Sequence, residues 1–338
     1  DVFDCEAAIV SPHILSGTHA LSLTLFGILR PNDLLLSITG KPYDTLDEVI
    51  SGADGSLADF GVKYDCIDIK DGHIDQDAVV NYIKNTKVRM IFITRSRGYS
   101  LRDALSVAEI KSVTEKIKAI DSNICIMVDN CYGEFMDTIE PTSVGVDVMA
   151  GSLNKNPGGG IVPTGGYVCG KAEYVDIVAG RLTAPSVGCE IGSNVFGYQY
   201  YYQGLFQAPH VTLQATKGSI LFAYALDELG YDVLPKKDAP CNDIIRSVKL
   251  NTKEELVAFI QAIQTASPVD SYLTLEAWDM PGYVDQVIMA AGCFVEGASI
   301  ELSADAPIKE PYIAYLQGGL TYEHCKCALE ICLNAILK

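Results

Sequence analysis

No stretch of the 338-residue sequence approaches the ~20 consecutive apolar residues that a membrane-spanning helix needs. The first residues, Asp1-Val2-Phe3-Asp4-Cys5, have neither the basic nor the apolar region of a secretory signal. Positive charge is scarce as well. Lys and Arg number 25 against 43 Asp and Glu, and a formal net charge of −18 repels a phosphate backbone rather than recruiting one. Neither a membrane nor a nucleic acid is expected as a partner. Histidine is limited to His13, His19, His73, His210 and His324, with no His-Glu-x-x-His helix, and Cys325-x-Cys327 lies in a helical pattern that points its thiols to different faces. No metal site is expected. The eleven cysteines are odd in number and scattered without paired spacing, the pattern of reduced thiols in a cytoplasmic protein. A chain that is 49% hydrophobic and 20% charged can still bury a large core and divide into two domains.

The first two thirds alternate short β-branched runs with longer amphipathic stretches, the pattern of strands joined by crossover helices. Strands are expected at 33–38, 62–69, 88–94, 124–129, 146–150 and 166–169, and helices at 20–29, 45–50, 74–83, 106–120 and 211–229. In the 106–120 stretch Val107, Ile110, Val113 and Ile117 fall on one face. After Gly230 the polar run Lys236-Lys237-Asp238-Ala239-Pro240 marks a connection, followed by strand-like 244–250, helix-like 254–264 and a terminal helix at 322–337. The expectation is an α/β protein: a large domain over 1–230 with a mixed, mostly parallel sheet flanked by helices, and a smaller α+β domain over 231–338.

Four segments fall at strand ends. Gly151-Ser152-Leu153-Asn154-Lys155-Asn156-Pro157-Gly158-Gly159-Gly160 puts Lys155 between an apolar strand and three glycines, where the backbone can bring an amine close to a ligand. A solvated loop lysine gives the same letters. The spacing does not fit a Walker loop. Ile126-Met127-Val128-Asp129-Asn130 ends a buried-type strand on a carboxylate, at the edge where α/β proteins place ligands; a turn-capping Asp is the plainer reading. Ser16-Gly17-Thr18 opens an apolar helix and makes an anion cradle, although Ser16 as an ordinary N-cap explains it equally well. Tyr43, in Gly40-Lys41-Pro42-Tyr43-Asp44-Thr45, is either a ring that stacks on a planar cofactor or a packed turn tyrosine. Taken together, an anion cradle, a stacking ring, an acid and a lysine are the parts that pyridoxal phosphate requires.

The segments SGTHA, TGKPYDT, RSRGYS, VDNCYGEF, GSLNKNPGGG, PTGGY, RLTAPSVG, QGLFQAPH, SPVDSYLT, WDMPGY, ELSAD and PYIAYLQGGLTYEH run nearly end to end. On them the chain resembles the fold-type-I pyridoxal-phosphate proteins known as aluminium resistance or methionine γ-lyase-like proteins, with the aminotransferase fold. The resemblance implies Lys155 as the Schiff-base lysine and Ser152 as a phosphate-contacting hydroxyl. Asp129 matches the acid on the pyridine nitrogen, Tyr43 the stacking ring, and Gly17 with Thr18, beside Ser16, the phosphate cradle. Asn130 follows the acid as in that group. The implied activity is a carbon–sulfur lyase of amino-acid metabolism that removes a β- or γ-substituent from a sulfur-containing amino acid. Transamination, other chemistry at the α-carbon, and a silent cofactor-binding protein are the alternatives. Related enzymes are homodimers or homotetramers.

Two departures accompany the resemblance. The family carries an amino-terminal segment with a Gly-Tyr-Gly-Tyr-like stretch that precedes residue 1 here, so a partial chain is expected. No arginine follows Arg246, and Lys309 stands where an arginine would grip the substrate carboxylate. Arg97 and Arg181 are therefore the candidates for that contact.

Overall fold

Runs that are apolar on both faces can be buried only inside a parallel sheet covered by helices on each side, and Cys125–Asp129, with all five residues buried, is such a run. The computed structural model describes every residue except Ala53, Phe196, Pro281, Gly282, Glu296 and Lys338. Pro281 and Gly282 of the WDMPGY segment thus lie outside the described residues. The chain forms two compact units. One comprises Asp1–Gly98, Ala104–Leu153 and Thr164–Tyr198; the other comprises Tyr99–Asp103, Asn154–Pro163 and Gln199–Lys338.

The first unit begins with β1 (Ala7–Ser11), α1 (Gly17–Ile28), β2 (Leu34–Ser37), α2 (Asp44–Ser51) and β3 (Lys63–Cys66). A small hairpin of β4 (Ile69–Lys70) and β5 (His73–Ile74) leads to α3 (Gln76–Asn85), β6 (Met90–Thr94) and α4 (Val107–Ile120). Then come β7 (Cys125–Asp129), β8 (Val148–Ser152), β9 (Gly166–Gly170) and α5 (Ala172–Leu182). Seven strands form one sheet in the order β1-β9-β8-β7-β6-β2-β3. β3, β2, β6, β7 and β8 are parallel, whereas β9 runs antiparallel to both β8 and β1. Leu25, Leu35, Phe92, Met127, Val148 and Val168 lie in the core between this sheet and its helices. The expected strand at 62–69 is two pieces. Asp71 and Gly72 both have positive φ and close the β4–β5 hairpin in two residues, which takes Ile69 out of the main sheet.

The second unit contains α6 (Gln199–Glu228), β10 (Asp232–Leu234), β11 (Arg246–Lys249), α7 (Lys253–Thr265), β12 (Val287–Ala290), β13 (Ser303–Pro307), β14 (Ile313–Gln317) and α8 (Tyr322–Ile336). Its five strands form an antiparallel sheet in the order β10-β11-β14-β13-β12. Phe222 and Leu226 of α6 pack with Val248, Phe259, Ala304 and Leu329 in one core, so α6 groups with this sheet, whereas the sequence reading divides the chain after Gly230. Among the described residues no helix is long and apolar enough to cross a membrane. All eleven cysteines are free thiols.

Within the second unit Tyr99 is hydrogen-bonded through its hydroxyl to the Asp305 carboxylate on β13, and the Tyr315 hydroxyl donates to the Tyr99 carbonyl at 2.7 Å. Burial raises Asp305 to about 6, against the downward pull of the Tyr99 hydrogen bond. An unfolded aspartate titrates near 3.9, so between about pH 4 and 6 the folded chain binds the extra proton, and stability falls as pH rises through that window. Asp305→Asn keeps an acceptor for Tyr99 without the ionisation cost. Its melting temperature is expected to exceed that of the parent by a few degrees at pH 8 and to match it near pH 4. Equal differences at both pH values would show that Asp305 does not titrate in this way.

Candidate active site

The parallel strands deliver their carboxyl ends to one edge of the first unit's sheet, the usual place for a ligand in an α/β fold. Asp129 ends β7 and Ser152 ends β8, and Asp129 pairs with Thr94 on β6 and Ala150 on β8. Ser11 of β1 and Ser152 both register with Gly166, so β1 and β8 finish at the same level and α1 starts beside the end of β8.

The contacts at Gly17 are close. A Cβ there would come within 3.1 Å of Cys131 Sγ and 3.4 Å of Ser152 Cβ, so glycine lets the first turn of α1 rest against the ends of β7 and β8. The Thr18 and Tyr43 hydroxyls are 3.1 Å apart, which brings Tyr43, at the start of α2, to the same helix end. Ser16 is the N-cap, its hydroxyl accepting from the His19 amide at 3.1 Å. The structure therefore brings together Gly17, Thr18, Tyr43, Asp129 and Ser152. The Asp129 carboxylate accepts a hydrogen bond from the Cys131 amide at 3.1 Å.

Lys155 lies in the second unit, three residues past Ser152 in the chain, and is half-buried. It precedes a single 3-10 turn, Asn156–Gly158, and its carbonyl accepts from Gly158 N at 3.0 Å. The two arginine candidates differ. Arg97 is 2% exposed and follows β6 by three residues. Arg181 is in the last turn of α5 with its guanidinium 5.5 Å from the Phe26 ring centroid. Phe26 is nine residues beyond Gly17 in α1, a rise of about 13 Å, so Arg181 is not among the residues gathered at the strand ends. Lys309 is exposed and paired with Asp285 at 2.5 Å.

Sequence reasoning missed the buried polar group around Asn130. Arg95 Nη1 donates to Asn130 Oδ1 at 2.8 Å and lies 3.2 Å from Glu140 Oε2, while Asn130 Nδ2 donates to the same carboxylate at 3.0 Å. The Tyr167 hydroxyl donates to Glu134 at 2.7 Å. Burial pushes Glu140 up, with the Arg95 charge pulling the other way, and burial lifts Tyr167 well above its usual value. Arg95 and Glu134 do sit inside the RSRGYS and VDNCYGEF segments, but nothing in the sequence ties either to Glu140 or Tyr167.

A family model described as Methionine gamma-lyase matches residues 1–337. The chain belongs to the methionine gamma-lyase family. Among its relatives, the uncharacterized protein YnbB of Bacillus subtilis is 50% identical over 343 residues, covering 100% of this chain and 81% of that one. A crystal structure described as a carbon-sulfur lyase involved in aluminum resistance, from Clostridium novyi NT, superposes with a TM-score of 0.94 at 48% identity. It covers 99% of this chain and 79% of that chain. The pyridoxal-5'-phosphate dependent protein YhfS from Escherichia coli shares the fold at a TM-score of 0.65 and 16% identity, over 99% and 82% of the two chains. As a family member, the chain has the α/β architecture of the fold-type-I pyridoxal-phosphate-dependent proteins.

Proposed function

We propose that the chain is a pyridoxal-phosphate-dependent carbon–sulfur lyase acting on a sulfur-containing amino acid. The observation that carries this reading is the gathering of Asp129, Ser152, Gly17, Thr18 and Tyr43 at one strand edge in a member of the methionine gamma-lyase family. The close contacts at Gly17 fit the cofactor: they set the start of α1 against Ser152, and a helix start beside a serine is a donor set suited to a phosphate. When bound, pyridoxal phosphate supplies an electron sink for negative charge at the α-carbon of an amino acid.

The chain's own residues divide the remaining tasks. Gly17, Thr18 and Ser152, with Ser16 beside them, bind the phosphate, and Tyr43 covers the ring. The Asp129 carboxylate, already oriented by the Cys131 amide, holds a proton on the pyridine nitrogen. Lys155 would hold the cofactor through Nζ and would move the α-proton of the substrate. Arg97, buried beyond β6, is the candidate for the substrate carboxylate. A second copy of the chain is the expected partner, in a homodimer or homotetramer within the cytoplasm. The exposed rings on α6, Tyr202 at 74% and Phe206 at 85%, support such a contact.

Pyridoxal phosphate added to the purified chain is expected to give a visible band that borohydride fixes onto a single peptide containing Lys155. Incubation with methionine, cystathionine or cysteine is then expected to release a thiol and a keto acid together. Keto acid with no thiol would replace the lyase reading with transamination, and a coloured protein inert to all three would replace it with silent binding.

A further inference from the structure

The buried group next to Asp129 is built around one side chain. Arg95 is 1% exposed and follows β6 directly; its amide donates to the Asp129 carbonyl at 3.1 Å. Its guanidinium holds Asn130 and Glu140 as described, and Nε is directed at the Leu105 carbonyl at 3.4 Å. The second Glu140 oxygen accepts from the Phe135 amide at 2.8 Å, so Glu140 ties both ends of the 130–135 turn to Arg95. Gly133 is shaped to the same residue: a Cβ would fall 2.5 Å from Arg95 Cδ and 2.8 Å from Cζ, so the turn lies flat on the guanidinium. Asn130 is fully buried, its amide nitrogen directed at Glu140 and, at 3.5 Å, the Tyr167 hydroxyl. Its side chain is thus committed to the interior.

A buried arginine–carboxylate pair is weak evidence of added stability, because desolvation offsets the attraction, so its place beside a functional acid calls for another account. The path is short. Arg95 fixes Asn130, the turn begins at Asn130, and the next amide, that of Cys131, donates to Asp129 Oδ1. Accordingly, we propose that Arg95 is a positioning residue for Asp129. Through Asn130 and Glu140 it fixes the turn whose amide aims the carboxylate, and so sets how firmly Asp129 holds the cofactor's ring proton. This rests on the reading of Asp129 given above.

The test is a double-mutant cycle on the full chain with pyridoxal phosphate as the probe, following cofactor affinity, the pH midpoint of the visible band and thermal unfolding. Arg95→Lys keeps the charge but not the planar fork. It is expected to weaken cofactor binding about tenfold, the size of losing one charge-assisted hydrogen bond, and to move the pH midpoint. In an Asp129→Ala background the same change should move neither. If Arg95→Lys alters only the melting temperature, or if its effects add in full to those of Asp129→Ala, the proposal is overturned. Should Arg95→Lys fail to fold, Glu140→Gln, of nearly equal volume, carries the same expectations through the same cycle. A parent chain that binds no cofactor, or an Asp129→Ala variant with an unmoved pH midpoint, overturns the underlying reading as well. The other two failures leave that reading standing.

Discussion

Replacing Lys155 with alanine is expected to remove the borohydride-fixable visible band and to lower turnover by at least about a thousandfold, since the tether and the proton carrier are lost together. The size follows from the proposed roles: one amine would serve both tasks, and no neighbouring lysine occurs in 151–160 to replace it. Lys155→Arg separates charge from chemistry. A guanidinium stays protonated, so it keeps the positive charge at position 155 without a transferable proton, and the band should still be absent. Recovery of the band in either variant would remove Lys155 from its assigned place. Thermal unfolding is the control that separates a loss of chemistry from a loss of folding.

Asp129→Ala has the opposite signature. The proposed phosphate cradle of α1 and the proposed Lys155 tether remain, so the variant should still take up the cofactor and show a visible band, while kcat falls by roughly 10²–10³. Without the Asp129 carboxylate the chain would have no partner for a proton at the ring nitrogen, and the cofactor would be a weaker electron sink. Stability should also drop, because the Cys131 amide loses its acceptor in a buried setting. Glutamate is not a rescue: its longer arm displaces the carboxylate from that amide. An Asp129→Ala chain with the parent's kcat would exclude Asp129 from the chemistry.

The sequence singles out Lys155 and Asp129, whose roles are proposed above, for the same reason. Each closes or follows a short apolar strand, at the sheet edge where α/β proteins place ligands. β7 announced itself as five consecutive residues suited to burial, and the terminal helix by its apolar repeat. Other parts were hidden. The first three turns of α6 carry Tyr200, Tyr201, Tyr202 and Pro209, residues of modest or poor helix propensity, so the helix was expected only from 211. β13, Ser-Ala-Asp-Ala-Pro, has no β-branched residue and gains its place from β12 and β14 on either side. The two compact units divide elsewhere than the sequence suggests because core membership of Phe222 and Leu226 depends on residues about 20 to 110 positions later. Glu140 and Tyr167 were invisible for a related reason. Glu140 meets a guanidinium 45 residues earlier in the chain and Tyr167 a carboxylate 33 residues earlier, and no local pattern encodes such meetings.

The shared register of Ser11 and Ser152 on Gly166 makes β9 a common ruler for the two sides of the proposed phosphate cradle. Loops may lengthen or shorten on either flank without disturbing the gap between them, since neither flank measures it. An insertion within the ruler itself acts differently: it would turn every following side chain of β9 to the opposite face and offset α1 from β8 in one stroke. Variation among kindred proteins should accordingly concentrate in the connections and spare this inconspicuous five-residue strand.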